Sequence, residues 1–110
     1  MIETIHDLSR PVAFLDSVRR MLAPGGVALV ADEKVGETFT APADELERLF
    51  YAASVLCCLP CGLAEQPSAA TGTVIRPATL RRYATEAGFA RVSVLDDIDH
   101  DSYRFYRLDP

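Results

Sequence analysis

The sequence has no apolar run close to the roughly 20 residues that span a bilayer. Its opening Met1-Ile2-Glu3 also lacks the basic stretch and apolar core of a secretory signal peptide. Positive charge is scarce and scattered, and the formal net charge of −5 disfavours a nucleic-acid partner, since a phosphate backbone repels such a field. We therefore expect a cytoplasmic protein without membrane or nucleic-acid partners, whose three cysteines are reduced.

The sequence also contains no internal repeat and no interdomain linker. Its 110 residues allow one small domain at most. With 49% hydrophobic and 25% charged residues, the composition is that of a packed globular protein rather than a disordered chain.

The stretch 22–33, Leu-Ala-Pro-Gly-Gly-Val-Ala-Leu-Val-Ala-Asp-Glu, organises the rest of the chain. Pro24 ends a helix, and Gly25-Gly26 supply the conformations of a sharp reversal. Residues 27–31 form an unbroken apolar run, which is typical of a strand covered on both faces in a parallel sheet. The sequence therefore predicts a buried parallel strand that ends in two carboxylates, Asp32 and Glu33.

Helical spacing of apolar residues predicts three helices. The first follows a polar turn, with Asp7 or Ser9 as a candidate cap and Pro11 in its first turn. The third begins near Arg76-Pro77 and ends at Gly88, which suits a left-handed cap. Beyond it, residues 91–95 and 103–108 predict two strands that pair antiparallel across a short link.

The second helix is predicted from about residue 42 to a stop at residues 60–62, Pro-Cys-Gly. Glu47 and Arg48 are expected to face water. The buried side is expected to be the apolar stripe of Leu46, Leu49, Phe50, Ala53, Leu56 and Cys57.

Three short segments resemble the C-terminal half of the class I S-adenosylmethionine-dependent methyltransferases. Residues 3–8, Glu-Thr-Ile-His-Asp-Leu, are similar to the family's segment after strand four. Residues 22–27 are similar to its Leu-x-Pro-Gly-Gly turn before strand five, and residues 86–89, Glu-Ala-Gly-Phe, to the helix end before strand six. Together the segments extend over nearly the whole chain.

The resemblance implies an α/β fold: a partial Rossmann-like methyltransferase sheet, with strands 4 and 5 parallel, an antiparallel 6/7 hairpin and flanking helices. In the family the last strand is inserted antiparallel beside strand five. The family's glycine-rich cofactor loop has no counterpart here, because Gly25-Gly26 precede a strand instead of following one. Residues 1–110 are thus expected to be a single partial domain that lacks the N-terminal cofactor-binding half.

The implied activity is methyl transfer from S-adenosylmethionine to an oxygen or nitrogen of a small molecule. His6 is the candidate base, since histidine can take a proton near neutral pH, and Asp7 is its catalytic neighbour. The alternative is a purely structural role, in which Asp7 caps a helix and His6 is a turn residue. By resemblance Glu3 and Thr4 are the candidates for the cofactor and Tyr51 for the substrate. Asp32 and Glu33, at the end of the central strand, are candidates for contact with an acceptor amine or hydroxyl; the alternative is a pair of solvated carboxylates, which are common at strand ends.

The cysteines at 57, 58 and 61 invite a metal or redox role, since Cys58 and Cys61 have C-x-x-C spacing. Their predicted position at a helix end raises a thiol pKa instead of lowering it, and both histidines lie far off in the sequence. We expect no metal site and a core position for Cys57.

A different class of function is a non-catalytic α/β interaction or oligomerisation domain. A half-sheet exposes an edge and apolar helix faces, which self-association or a complementing chain has to cover. The expected partners are therefore a small-molecule acceptor together with a second copy or a complementing chain.

Overall fold

A computed structural model describes residues 1–110, which form helices and a small sheet in the following order. A 3-10 turn, Ile5–Asp7, precedes helix α1 (Pro11–Met21) and strand β1 (Ala28–Glu33). One long helix follows as α2 (Glu45–Ala53), a π-helical segment (Ser54–Cys58) and α3 (Leu59–Leu63). The chain ends with α4 (Pro77–Glu86), β2 (Arg91–Val94) and β3 (Tyr103–Asp109).

The sheet has three strands in the order β1-β3-β2, and both neighbouring pairs are antiparallel. β3 pairs with β1 from Ala28↔Leu108 to Glu33↔Tyr103. It pairs with β2 from Arg91↔Asp109 to Val94↔Tyr106. The predicted antiparallel pairing of the last two strands is confirmed.

The prediction of a Rossmann-like sheet, in which strands 4 and 5 are parallel, is wrong. The only parallel contact of β1 is an isolated bridge between Ile2 and Ala31, and the whole length of β1 pairs antiparallel with β3. The apolar run correctly indicates burial of Ala28, Val30 and Ala31. Leu29 is 55% exposed and β1 lies at the edge of the sheet, so the predicted covering of both faces is wrong. Burial, however, does not specify the direction of a neighbouring strand.

The core lies between the sheet and the two helices α1 and α4. α1 begins with Pro11 as predicted, but its N-cap residue is Arg10 without a side-chain cap, so Asp7 and Ser9 do not cap it. α4 buries Leu80, Tyr83 and Ala84 against this core. The core cluster consists of Ile5, Leu15, Ala28, Val30, Ile75, Leu80, Tyr83, Ala84, Ala87, Phe89, Tyr106 and Leu108.

A side chain of α1 fastens the end of α4. Nε of Arg19 donates to the carbonyl oxygen of Ala87 at 2.9 Å. The next residue, Gly88, has φ +89° as predicted for a left-handed cap, and its amide donates to Thr85 O at 2.9 Å. A Cβ at Gly88 would lie 3.0 Å from Arg19 Nε, so glycine also leaves room for this contact.

The second helix differs from its prediction in extent and in its buried face. Asp44 caps α2 by accepting the amide of Glu47 at 2.8 Å, and the helix continues past Pro60 to Leu63. Glu47 is only 3% exposed, because its carboxylate binds Arg76 at 2.6 Å and the amide of Gly36 at 3.0 Å. The predicted stripe is largely solvent-facing instead, with Leu49 62% and Leu56 82% exposed, and Cys57 is not a core residue.

The helix Glu45–Leu63 is long and apolar enough to cross a membrane by length and composition, with 17% of its apolar window buried. This contrasts with the expectation from the sequence that no segment reaches that length. It is weak evidence for a membrane segment, because core helices of soluble proteins satisfy the same criterion.

Candidate functional site

Four residues from two distant parts of the chain meet at the end of β1. The Ile5–Asp7 turn carries His6 against the last two residues of β1, and His6 is 2% exposed. Nδ1 of His6 lies 2.5 Å from Oδ1 of Asp32 and 3.0 Å from Oε2 of Glu33. On the other side of the ring, Nε2 lies 3.4 Å from Oδ1 of Asp7. The histidine is thus surrounded by carboxylates.

These carboxylates determine the charge of His6. Burial alone lowers the pKa of an imidazole, but the hydrogen bonds to Asp32 and Glu33 raise the pKa of His6 to about 11. The ring is therefore an imidazolium near neutral pH. In this state His6 donates hydrogen bonds to its acidic neighbours and is not free to accept a proton.

The two β1 carboxyl groups differ in their response to the same surroundings. Burial raises the pKa of Asp32 to about 7, against the opposing effect of His6. Burial also acts to raise the pKa of Glu33, yet its hydrogen bonds to His6 and Asp32 leave that pKa below its usual value. Glu33 Oε2 is paired with the His6 ring at 3.0 Å, whereas Asp32 Oδ2 is buried without a hydrogen-bond partner. One acceptor oxygen is therefore unsatisfied beside the cation.

A cavity of about 470 Å³ opens next to His6, and we call it the His6 cavity. One wall is acidic and the other is apolar and comes from α2. Its lining residues are Glu3, His6, Asp7, Glu33, Leu49, Phe50, Ala53, Cys57, Cys58 and Thr73. A second cavity of about 550 Å³, between α1, α4 and residues 67–69, contains none of the predicted site residues.

The structure brings four of the predicted site residues together around the His6 cavity, namely Glu3, His6, Asp7 and Glu33. Asp32 lies behind His6 and does not line the cavity.

Thr4 and Tyr51 also lie outside the cavity lining. The hydroxyl of Thr4 bonds to the carbonyl of Ile2 at 2.8 Å. The hydroxyl of Tyr51 accepts from Arg76 at 3.0 Å. The neighbouring Phe50 takes the place in the cavity that was predicted for Tyr51.

Two further polar residues line the cavity: Thr73, which was not predicted, and Cys58, for which the sequence predicted no metal site. Thr73 is 3% exposed, and its hydroxyl lies beside the Cys58 thiol. The thiol of Cys58 is surrounded by Thr73, Asp7 and His6, and burial raises its pKa. Cys58 lies inside a continuing helix instead of at its end, and the fold brings His6 beside it, so the predicted separation of cysteine and histidine does not hold. No local sequence signal indicates this contact.

Neither a scan against protein-family models nor a search of curated proteins found a match to this chain.

Proposed function

We propose that this chain supplies the acceptor side of an S-adenosylmethionine-dependent methyltransferase that acts on a small molecule. One observation carries the proposal: four of the site residues predicted from the sequence line a single cavity of about 470 Å³, although Glu33 is remote in sequence from the others. This volume is in the range of sites for small organic ligands. The proposed function requires no parallel sheet within the chain.

The residues of this chain do not fit the cofactor by themselves. Gly25 and Gly26 lie before β1, and no strand of the chain leads through a glycine-rich turn into a helix. A cofactor-binding loop would have to come from a complementing segment. We therefore assign to this chain only the binding and orientation of the acceptor.

The charges around the cavity favour an amine as the acceptor group over a hydroxyl. The lowered pKa of Glu33 keeps it ionised at neutral pH, and a carboxylate attracts a cationic amine. Leu49 and Phe50 give the cavity an apolar side against which the non-polar part of an acceptor can pack. His6, as an imidazolium, fixes the carboxylates of β1 and leaves removal of the acceptor's proton to another group.

Two measurements test the proposal. The DNA upstream of the codon for Met1 is expected to encode a glycine-rich loop, in frame or after a frameshift, and its absence in every frame would contradict the methyltransferase assignment. Calorimetric titration of this chain with S-adenosylmethionine is expected to give no binding heat. Micromolar affinity would show that the cofactor needs no complementing segment.

Methyl transfer by this chain, measured together with the segment encoded upstream, tests the role of single residues. Glu33→Gln is expected to lower methyl transfer to small amines by at least about tenfold, because it removes the ionised group of the cavity wall. Glu37→Gln, a change at an exposed acidic residue outside the cavity, is the matched control and is expected to keep full activity. Equal rates for the two variants would rule out the assigned role of Glu33.

A second candidate function, self-association, is favoured by the uncovered apolar side of the long helix. Its exposed large apolar residues are Leu49, Val55, Leu56 and Leu63, and Phe39 lies exposed nearby in sequence. Exposed apolar patches of this kind mark interaction surfaces. Light scattering of the wild-type chain is expected to give a dimer or larger species, and Leu56→Glu a monomer. A wild-type monomer at high concentration would exclude this function.

A further inference from the structure

Three different metal-ligating atoms gather at the inner wall of the His6 cavity. A ring nitrogen of His6, a carboxylate oxygen of Asp7 and Sγ of Cys58 all lie within 4.8 Å of one another. Nε2 is the ring nitrogen that faces Asp7. His6 is buried, while Asp7 and Cys58 are half-buried. All three residues line the cavity, so a metal ion held by them would keep a position open to it.

The distance between the two closest donors suits a tetrahedral metal. Zn–N and Zn–O bonds of about 2.0–2.1 Å place two tetrahedral ligand atoms about 3.3–3.4 Å apart. The observed separation of His6 Nε2 and Asp7 Oδ1 is 3.4 Å. These two side chains therefore need little adjustment to share one ion.

The opposite nitrogen of His6 has the partner that metal-binding histidines require. A ligating histidine usually donates its other ring N–H to a carboxylate, which fixes the tautomer and the orientation of the ring. Here Nδ1 of His6 lies 2.5 Å from Oδ1 of the buried Asp32. This contact directs Nε2 towards Asp7 and the cavity.

A buried hydroxyl also lies at the inner wall of the His6 cavity. The hydroxyl of Thr73 is buried beside the Cys58 thiol. From this position it can donate to a metal-bound thiolate and orient that ligand. Glycine at position 62 allows α3 to lie close to the Ile5–Asp7 turn, because a Cβ there would be only 3.3 Å from the carbonyl oxygen of Asp7.

The alternative set of His6, Asp32 and Glu33 is less suitable. Its Nδ1–Oδ1 distance of 2.5 Å is that of a hydrogen bond and is too short for two ligands of one ion. Asp32 also does not line the cavity. The set that includes Cys58 is therefore preferred.

We propose that His6 Nε2, Asp7 and the Cys58 thiolate form a three-ligand site for Zn²⁺ or a similar divalent transition metal, with an open position facing the His6 cavity. Thiolate and imidazole ligands select such ions over Mg²⁺ and Ca²⁺. On binding, the Nε2 proton of His6 and the thiol proton of Cys58 pass to solvent, and the thiolate and the Asp7 carboxylate balance the two positive charges. The site does not depend on the proposed methyl transfer.

Titration of the tag-free, reduced chain with Co²⁺ tests the site without cofactor or acceptor. Cobalt bound to a thiolate gives a sulfur-to-cobalt charge-transfer absorption in the near ultraviolet, and Zn²⁺ is expected to displace it. Cys58→Ser is expected to abolish this absorption and to weaken Co²⁺ binding by at least about tenfold, and Asp7→Asn to weaken it while keeping the absorption. Mg²⁺ in excess is expected to leave the signal unchanged.

Cys61→Ser is the matched control, because Cys61 lies on the same helix, is exposed and does not line the His6 cavity. It is expected to bind Co²⁺ as the wild type does. Absence of the absorption from the wild-type chain would overturn the proposal, as would its survival in Cys58→Ser. Its loss in Cys61→Ser would assign the metal to the C-x-x-C pair and also overturn the proposal. Far-ultraviolet circular dichroism of each variant verifies that it is folded.

Discussion

Nδ1 of His6 lies 2.5 Å from Oδ1 of Asp32, and neither side chain is more than 2% exposed. This contact joins residues that are 26 positions apart and fixes the charge of the buried imidazole. In the metal-free chain we therefore expect NMR of the ring nitrogens to show a His6 imidazolium at pH 8. Asp32→Asn is expected to lower the pKa of His6 from about 11 towards its ordinary value of 6.5, because it removes the closest negative charge.

The control for this titration is Asp99→Asn. Asp99 is an exposed carboxylate 3.7 Å from Lys34, and its change is expected to leave the titration of His6 as it is in the wild type. A His6 pKa that is the same in Asp32→Asn and in the wild type would contradict the pairing.

The buried carboxylate of Glu47 holds α2 against the start of α4. It accepts from Arg76 at 2.6 Å and from the amide of Gly36 at 3.0 Å. Glu47→Gln is expected to lower the free energy of unfolding by about 2–3 kcal/mol, as for other hydrogen bonds to buried charged groups. Urea denaturation measures the change. Glu45→Gln, at an almost fully exposed position in the same turn, is expected to change stability by less than about 0.5 kcal/mol.

The same contact predicts a dependence of stability on pH. The hydrogen bond to Arg76 outweighs burial and lowers the pKa of Glu47 below its ordinary value of 4.5. A lowered carboxyl pKa contributes stability that is present above 4.5 and is lost as the pH falls through the folded-state pKa. The stability difference between the wild type and Glu47→Gln is therefore expected to be constant from pH 5 to 7 and to shrink on acidification. A difference that stays constant down to pH 2 would argue against the ion pair.

Gly72 and Gly25 provide a matched test of the segment next to Thr73. Both glycines have positive φ, +70° and +77°, but only at Gly72 would a Cβ collide, 2.2 Å from Ser54 Oγ. That oxygen also accepts the amide of Thr73 at 3.1 Å. Gly25→Ala is expected to cost about 1 kcal/mol from backbone strain alone, and Gly72→Ala about 1–2 kcal/mol more. Thermal unfolding measures both, and equal costs would mean that Ser54 moves aside freely.

The elements that the sequence predicts best are those with a local signal. Pro11 and the apolar spacing after it define α1, and Gly88 defines the end of α4 because only a left-handed cap suits that position. The apolar run of β1 predicts a strand and the burial of one of its faces, but Leu29 on the other face is exposed. The run does not predict the antiparallel partner, since strand direction depends on where residues 103–109 return to the sheet.

The second helix shows what a periodic pattern cannot determine. Its stripe from Leu46 to Cys57 predicts a helix correctly, yet the face that packs is the one that carries Glu47. The buried face is chosen by Arg76, which lies on a distant segment and has no signature in the helix itself.

The candidate site likewise has one part that the sequence predicts and one part that it does not. The sequence predicted His6, Asp7 and Glu33 as site residues, and these three line one cavity. The contact of His6 with Cys58 follows only from the packing of α3 against the Ile5–Asp7 turn, so the cysteine could not be assigned from spacing.

The hydrogen bond from Arg19 to Ala87 has a consequence for the way the molecule opens. One guanidinium closes the end of α4 from the last turns of α1, so neither helix can fray at that point without releasing the other. Amide protons of the two helices should then exchange with deuterium as one cooperative unit, with a common opening free energy. Removing the Arg19 guanidinium should make α1 and α4 open, and exchange their amide protons, as two separate units.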